Sequence, residues 1–246
     1  HNLSQQGGYN MVRITLNKQY IPIPVPVTVK YGLLYNWYAA TDVRNIAADG
    51  WHLPTSIEFT SLMTYIDPDG GQITNDAGGK LKEIGLTYWN NPNAGATNEY
   101  NFNGRGSGYR LNTGAFTDIK ITAIFLAQGG SGINGNAAYL YYNQNYFRVA
   151  FGGIGTAVNK IYGCNIRLIK DTTTLSDGET GTYTGNDGKV YRTICIGTQE
   201  WLADNLVETK YRNGETIQEV TDNSEWAALT TGALCAYNND WSNVLI

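Results

Sequence analysis

Histidine, cysteine and basic side chains are scarce in this 246-residue chain, and each shortage argues against a class of function. The histidines are His1 and His52 alone, so histidine-based catalysis or a site of several histidine ligands is nearly excluded. Lys and Arg total 17 against 21 Asp and Glu. Binding to nucleic acid or anionic lipid needs clustered basic charge, so we expect neither. No apolar run approaches the roughly 20 residues of a membrane-spanning helix, so we expect no membrane insertion.

The three cysteines, Cys164, Cys195 and Cys235, lack the Cys-X-X-Cys spacing of a zinc knuckle. They form either one disulfide with a free thiol or three buried thiols, and the second interpretation is favoured because cysteine often acts as a small buried hydrophobe. Aromatic residues, by contrast, are plentiful at 12% of the chain, with 18 tyrosines. That content is typical of a folded chain rather than a disordered one.

The chain divides into segments of different composition. Residues 1–30 end in Tyr20–Lys30, where prolines alternate with β-branched residues, which predicts an extended arm or edge strand. An arm this apolar should be covered by its own domain, by a neighbouring subunit or by a preceding domain, which suggests self-association or attachment to a larger fibre. The alternative is an exposed linker. Residues 31–170 form the main part, 171–188 a linker or exposed hairpin, and 189–246 a completing part.

Two helices are predicted from capping residues and apolar spacing. Thr55 and Glu58 form a capping-box pattern before apolar residues spaced as one helix face, which predicts a helix over 55–66. A similar start at Asp222 predicts a shorter helix over 222–230. Between them, dense glycine and short apolar runs predict antiparallel strands within 108–111, 119–126, 138–142, 146–151 and 165–169. Alternation of apolar and polar residues predicts a further strand within 189–196, and 232–237 is also predicted as a strand. These patterns indicate an α+β domain.

Several motifs carry a family resemblance. They are Tyr31–Ala40, Gly50–Thr55, Gly79–Lys82, Gly108–Arg110, Gly163–Lys170, Asp187–Leu206, Thr221–Leu229 and Gly232–Asn239. Together they resemble the Fibrobacter succinogenes major paralogous domain. The resemblance implies a C-type lectin-like fold, with two helices around a twisted antiparallel sheet and long loops.

The order of the segments departs from the family. There the segment like 187–239 comes first and the segment like 31–170 comes last, whereas here they are exchanged as in a circular permutation. Either 189–246 completes a single domain with 31–170, or the chain is cut from a tandem array. The first is favoured because 189–246 has too few apolar residues for a core of its own. Leu168 and Phe125–Gln128 also depart from the family pattern, which leaves the disulfides and the surface near 125–135 open.

A similar domain serves as the variable, ligand-displaying protein of diversity-generating retroelements in gut bacteria and their phages. The resemblance therefore implies that solvent-facing residues within 139–162 bind a ligand, although strand alternation should leave about half of them in the core. Tyrosine and asparagine are also typical of antibody paratopes. The candidate ligand-binding residues are Tyr139, Tyr141, Asn143, Asn145, Phe147, Arg148, Phe151, Ile154, Asn159, Tyr162 and, in a separate polar loop, Trp89.

No metal, cofactor or catalytic residue is predicted. Asn91-Pro92-Asn93 only partly resembles the calcium-binding tripeptide of C-type lectins and carries no charge, whereas calcium prefers carboxylates. His52 is predicted to be a buried, hydrogen-bonded residue at a helix start.

The predicted function is non-catalytic recognition of a cell-surface protein or glycan. The resemblance implies an extracellular location, on a phage tail fibre or a bacterial surface. The alternatives are a structural surface or pilus-tip building block and, less favoured, a carbohydrate-active enzyme that uses two carboxylates.

Overall fold

Short strands and long connections make up most of the structure, a computed structural model that describes residues 25–150 and 158–246. The strands are β1 Leu34–Tyr35, β2 Trp51–His52, β3 Ser107–Arg110, β4 Phe116–Ile119, β5 Thr122–Ser131, β6 Asn134–Tyr141, β7 Arg148–Ala150, β8 Val158–Asn159, β9 Ile169–Lys170, β10 Thr180–Thr184, β11 Val190–Ile196, β12 Gln199–Leu202, β13 Gln218–Glu219 and β14 Ala233–Cys235. The α-helices are α1 Trp37–Ala40, α2 Ser56–Ile66, α3 Ala77–Leu81 and α4 Asn223–Ala227. Two short 3₁₀ helices cover Tyr237–Asn239 and Trp241–Asn243. The α+β class is confirmed.

The described strands pair into four sheets. Their strand orders are β1-β14-β13, β10-β11-β12-β9-β2, β3-β4 and β5-β6-β7, with β8 also paired to β6. Single bridges join the segment Gly163, Cys164 and Asn165 to Arg110 of β3, Tyr35 of β1 and Phe125 of β5, so one short segment connects three of these sheets. Apart from the parallel β13–β14 pair, the strand pairs are antiparallel, as predicted.

The last third of the chain shares two sheets with residues 31–170. Strand β14 pairs with β1, and β12 pairs with β9. Strand β10 pairs with β11, so the segment predicted as a linker or hairpin contains the first strand of a hairpin. Residues 189–246 thus bury apolar side chains against the main part of the chain as well as against one another.

Helix α2 begins and ends where its sequence predicts. The Thr55 hydroxyl accepts a hydrogen bond from the Glu58 amide at 3.2 Å, and the Glu58 carboxylate accepts one from the Thr55 amide at 2.7 Å. This reciprocal capping box satisfies amides that have no partner within the helix. Helix α4 is also confirmed but shorter than predicted, with the Asp222 side chain accepting from the amides of Ser224 and Glu225.

The apolar face of α2 packs on the sheets through aromatic rings. Phe59 stacks on Trp201 with ring centroids 5.2 Å apart, and it also contacts Phe125 and Phe147. Trp201 comes from β12 in the last third of the chain, whereas Phe125 and Phe147 come from the main part. One buried aromatic cluster therefore joins the two parts of the chain.

The end of the predicted arm packs on the domain itself. The Val27 amide donates to the Val190 carbonyl at 2.8 Å, and Val29 is buried and bridges to Leu245. The earlier part of the arm, residues 1–24, lies outside the described residues.

All three cysteines are buried free thiols, so the disulfide alternative is wrong. Burial raises the pKa of Cys164 well above its ordinary value and that of Cys235 to about 12, so both thiols stay protonated. Their role is that of small apolar side chains.

Candidate ligand-binding site

A pocket of about 240 Å³ opens on one face of the β5–β6 hairpin. Its floor consists of Thr122 and Ile124 from β5 and of Tyr139 and Tyr141 from β6. These residues face the same way because side chains two apart on a strand share a face. The register places Thr122 opposite Tyr141 and Ile124 opposite Tyr139. Pairing is continuous from Thr122 to Ala127, across the whole floor, and gives it a rigid backbone.

The walls of the pocket come from two other parts of the chain. Tyr109 of β3 and Asp118 of β4 come from one part, and Val158 of β8 and Tyr162 just after it come from the other. We call the pocket with these eight lining residues the tyrosine pocket, after its four tyrosines.

The wall tyrosines are held together by backbone pairing next to them. Arg110 and Gly163 exchange two backbone hydrogen bonds of 2.9 Å, which brings Tyr109 and Tyr162 into a stack with ring centroids 5.6 Å apart. Glycine is required at position 163 because the backbone passes close to the Trp226 ring, and a Cβ there would lie 2.9 Å from it. The glycine of the sequence motif thus fixes the wall of the pocket.

The floor tyrosines form a second stack. The rings of Tyr139 and Tyr141 are 6.1 Å apart and nearly parallel, at 5°. Tyr139 is buried at the base, whereas Tyr141 is half-buried and reaches the surface. Tyr146 meets Tyr141 edge-on at 5.9 Å and extends this aromatic surface beyond the pocket.

Burial raises the pKa of Tyr109 to about 12, with the negative charge of Asp118 as the next cause. The hydroxyl of Tyr109 is therefore neutral at physiological pH and acts as a hydrogen-bond donor. Among the described lining residues, Asp118 is the only one that carries a full charge.

Three of the predicted binding residues lie in the pocket, namely Tyr139, Tyr141 and Tyr162. Asn143 and Asn145 are exposed on the turn after β6, and Arg148 is half-buried on β7, all outside the pocket lining. The half-buried Asn159 uses its side chain to accept a hydrogen bond from the Ile161 amide at 2.9 Å. Phe151 and Ile154 lie outside the described residues.

The predictions that Trp89 and Phe147 are available to a ligand are wrong. Trp89 is fully buried, and its indole donates to the Gly104 carbonyl at 2.9 Å. The polar loop around it closes inward because the Asn93 amide donates to two carbonyls, those of Glu83 and Gly85. Phe147 is fully buried against Phe59, as strand alternation permits for one face.

Tyr109, Asp118, Thr122, Ile124 and Val158 line the pocket but were not predicted as site residues. Tyr109 lies within the Gly108–Arg110 motif. It is half-buried between two buried neighbours on β3, and strand alternation is the signal that could have identified its side chain as facing outward. Asp118 has a backbone φ of +61°, and no pattern in the surrounding sequence predicts this conformation. Its proximity to Tyr162 arises only from tertiary contacts.

A family model described as the Fibrobacter succinogenes major domain matches residues 17–170. The chain belongs to this family. Comparison with curated proteins and comparison with solved structures both give no significant match.

The residues that carry the family resemblance mainly build the scaffold around the pocket. Arg110 is fully buried and donates to the carbonyls of Val220 and Thr221 at 2.6 and 2.9 Å. Arg167, also fully buried, donates to the carbonyls of Phe102 and Leu202. Planar guanidinium groups with five donors can satisfy several loop carbonyls at once. These two arginines therefore fix loops of this chain from inside.

Lys82, from another family motif, holds the turn that carries the exposed asparagines. Its ammonium donates to the carbonyls of Tyr141 and Gln144 at 2.9 and 2.8 Å. Burial lowers its pKa to about 8. The turn after β6 is thus tied to the end of α3 by a buried charge.

His52 is half-buried and lies between two carboxylates, in line with its predicted hydrogen-bonded position before α2. Its Nε2 is 2.9 Å from Glu58 and its Nδ1 is 2.6 Å from Asp171. Hydrogen bonding to Glu58, opposed by burial and helped by Asp171, raises the pKa of His52. The ring therefore links the capping box of α2 to the residue after β9.

The described part of the chain contains no group of three or more His, Cys, Asp or Glu residues placed to hold a metal ion. Within the same ranges, 25–150 and 158–246, none of the helices has the length and apolar content to cross a membrane.

Proposed function

We propose that this domain is a non-catalytic recognition module whose tyrosine pocket holds part of a ligand. The observation that carries the proposal is the convergence of four tyrosines from three separate parts of the chain on one open pocket. Tyrosine offers a large contact area with few torsions to restrict and a hydroxyl for hydrogen bonding. A partly exposed cluster of such rings is an unusual use of surface unless it meets a partner.

The rigidity of the pocket supports recognition. Two paired strands form the floor, and the stacked wall rings are fixed by the Arg110–Gly163 pairing. A binding surface that is already ordered loses little conformational entropy on complex formation. The exposed asparagines of the turn after β6 follow the floor strand along the chain and offer further groups for hydrogen bonding.

In its finer form, the proposal is that the fold is C-type lectin-like and that the domain is a diversity-generating retroelement variable protein. It would then be displayed on a phage tail fibre or bacterial surface and bind a cell-surface protein or glycan. Family membership and the tyrosine- and asparagine-rich surface near 139–162 support this form. A neighbouring reverse-transcriptase gene, with a template copy that differs at adenines across the codons for 139–165, is the expected genomic finding.

A binding screen on glycan arrays and bacterial cells, run with and without EDTA, tests the recognition function. The Tyr141→Ala, Tyr162→Ala double variant removes one ring from the floor and one from the wall, and we expect at least about a tenfold loss of binding. Tyr65→Ala is the matched control because Tyr65 is exposed on α2 and does not line the pocket. Binding should persist in EDTA.

Thermal melts of all variants separate loss of contact from loss of fold. An unchanged melt with lost binding supports the pocket as the site. Equal binding by the double variant and the wild type would move the site elsewhere. Binding abolished by EDTA would replace the proposal with a calcium-dependent site, and absence of any target would favour a structural building block.

A further inference from the structure

We propose that the tyrosine pocket binds an alkylated ammonium group, such as the trimethylammonium of choline, an inference that rests on the recognition function proposed above. The four tyrosine rings supply the first part of the argument. The face of an aromatic ring carries partial negative charge and attracts cations, and desolvated sites strengthen this attraction. Alkylated ammonium ions in particular are held by cages of several aromatic rings with little water.

The charge of the pocket supplies the second part. Asp118 places a carboxylate on the wall beside Tyr109, whose hydroxyl interacts with it. No lysine or arginine is among the described lining residues. The pocket therefore combines one negative charge with π-faces, which favours a cation over a neutral sugar or an anion.

The nearest basic residues in sequence are engaged elsewhere. The Arg110 guanidinium lies 4.4 Å from the Trp226 ring centre and donates to loop carbonyls. The Lys160 ammonium lies 4.3 Å from the Trp37 ring centre, and that of Lys120 donates to the Leu86 carbonyl at 3.5 Å. None of these charges neutralises Asp118 from within the pocket.

The size and the apolar residues of the pocket supply the third part. A volume of about 240 Å³ is below that of most drug-sized pockets, which span roughly 300–1,000 Å³. It admits a trimethylammonium group with a short chain. Ile124 and Val158 present methyl groups to it, and these suit N-methyl groups better than the polar shell of an unsubstituted ammonium.

Titration of the full chain with choline and with dimethylbutanol, in which carbon replaces the charged nitrogen, tests the inference. We expect saturable choline binding by calorimetry or NMR, and at least about tenfold weaker binding of the neutral isostere. N-trimethylated lysine is the third probe. Binding of choline but not of N-trimethylated lysine would point to a headgroup or small molecule. Binding of choline and N-trimethylated lysine would show that the ammonium group is the shared determinant.

Two variants locate the site. Asp118→Asn removes the charge and keeps the shape, and asparagine tolerates the positive φ at this position. It should weaken choline binding about tenfold and leave dimethylbutanol binding unchanged. Asp69→Asn makes the same change in net charge at an exposed position outside the pocket and should have no effect. Tyr141→Leu tests the π-face independently and should weaken choline more than its isostere.

Equal affinity for choline and dimethylbutanol, or unchanged choline affinity in both Asp118→Asn and Tyr141→Leu, would overturn the inference. Absence of choline binding, with target binding that still depends on Tyr141 and Tyr162, would overturn it while leaving the recognition function in place. Absence of both would remove the two proposals together.

Discussion

At the scale of single residues, the most unusual group is Glu208, which is fully buried beside Asp187. The Asp187 amide donates to Glu208 Oε1 at 2.9 Å, and Lys189 pairs with the Asp187 carboxylate. Burial, together with the hydrogen bond and the negative charge of Asp187, raises the pKa of Glu208 to about 8. Its Oε2 finds no donor, which fits a protonated carboxyl that itself donates to Asp187.

This raised pKa gives folding a defined pH dependence. The folded state keeps the Glu208 proton up to about pH 8, whereas the unfolded chain loses it near the ordinary value of 4.5. Between these values the folded state binds more protons, so the free energy of unfolding falls as pH rises. We expect this group to account for a loss of about 2 to 4 kcal/mol across that range.

Glu208→Gln should flatten the dependence of the free energy of unfolding on pH. The glutamine side-chain amide can still donate a hydrogen bond to Asp187, but it does not titrate. Urea denaturation at about pH 5 and about pH 9 measures the effect. The raised pKa of His52 gives a further stabilisation that is complete below 6.5 and is lost as pH rises through its folded pKa. The wild type and the Glu208→Gln variant both retain His52, so the difference between their stability–pH profiles reports on Glu208. Parallel profiles would show that Glu208 ionises normally.

At the scale of elements, α2 illustrates how local sequence and packing combine. Its capping box fixes the start of the helix, and its apolar face carries Phe59 onto Trp201 and Phe147. The His52 bridge then ties the cap to Asp171 beyond β9. The helix is therefore fixed at its first turn by polar contacts and along its length by aromatic packing.

Thr55→Ala should cost about 1 kcal/mol of stability, because the side chain that caps the Glu58 amide is lost. Ser61→Ala is the control, since Ser61 is exposed within α2 and alanine is at least as good a helix former. Chemical denaturation of both variants measures the difference. Equal stability of the two would show that packing alone fixes the helix start.

At the scale of the whole molecule, the structured unit extends beyond the segment matched by the family. The match ends at residue 170, yet β14 completes the sheet of β1, and Trp201 enters the aromatic cluster of α2. The two ends of the described chain also meet, since the Ile246 amide donates to the Thr28 carbonyl at 2.9 Å. Circular permutation is tolerated where termini are close.

A permuted chain that begins at Thr173, runs through Ile246 into His1 and ends at Thr172 should therefore fold. This order places the segment like 187–239 before the segment like 31–170, and residues 1–24 serve as the connection. We expect a cooperative melt within about 10 °C of the wild type. The fragment 25–170 should show no cooperative melt, because it lacks β12 and β14. A stable fragment would show that the main part forms a core of its own.

Sequence alone determined what depends on neighbours along the chain. The Thr55–Glu58 cap, the apolar face of α2 and the start of α4 are local patterns, and each is present where it was predicted. The motifs were also sufficient for the family, which rests on residues spread over much of the chain.

Tertiary structure decided what depends on residues far apart. The sequence places Trp89 in a polar loop, but its indole N–H donates a hydrogen bond to the Gly104 carbonyl and the side chain is fully buried. Tyr109, Asp118 and Tyr162 carry no common signal in the sequence, and they meet because Arg110 pairs with Gly163 across more than 50 residues. Hydrophobic periodicity reports which face of an element is buried. It does not report which buried faces meet, and the pocket exists only where three such elements come together.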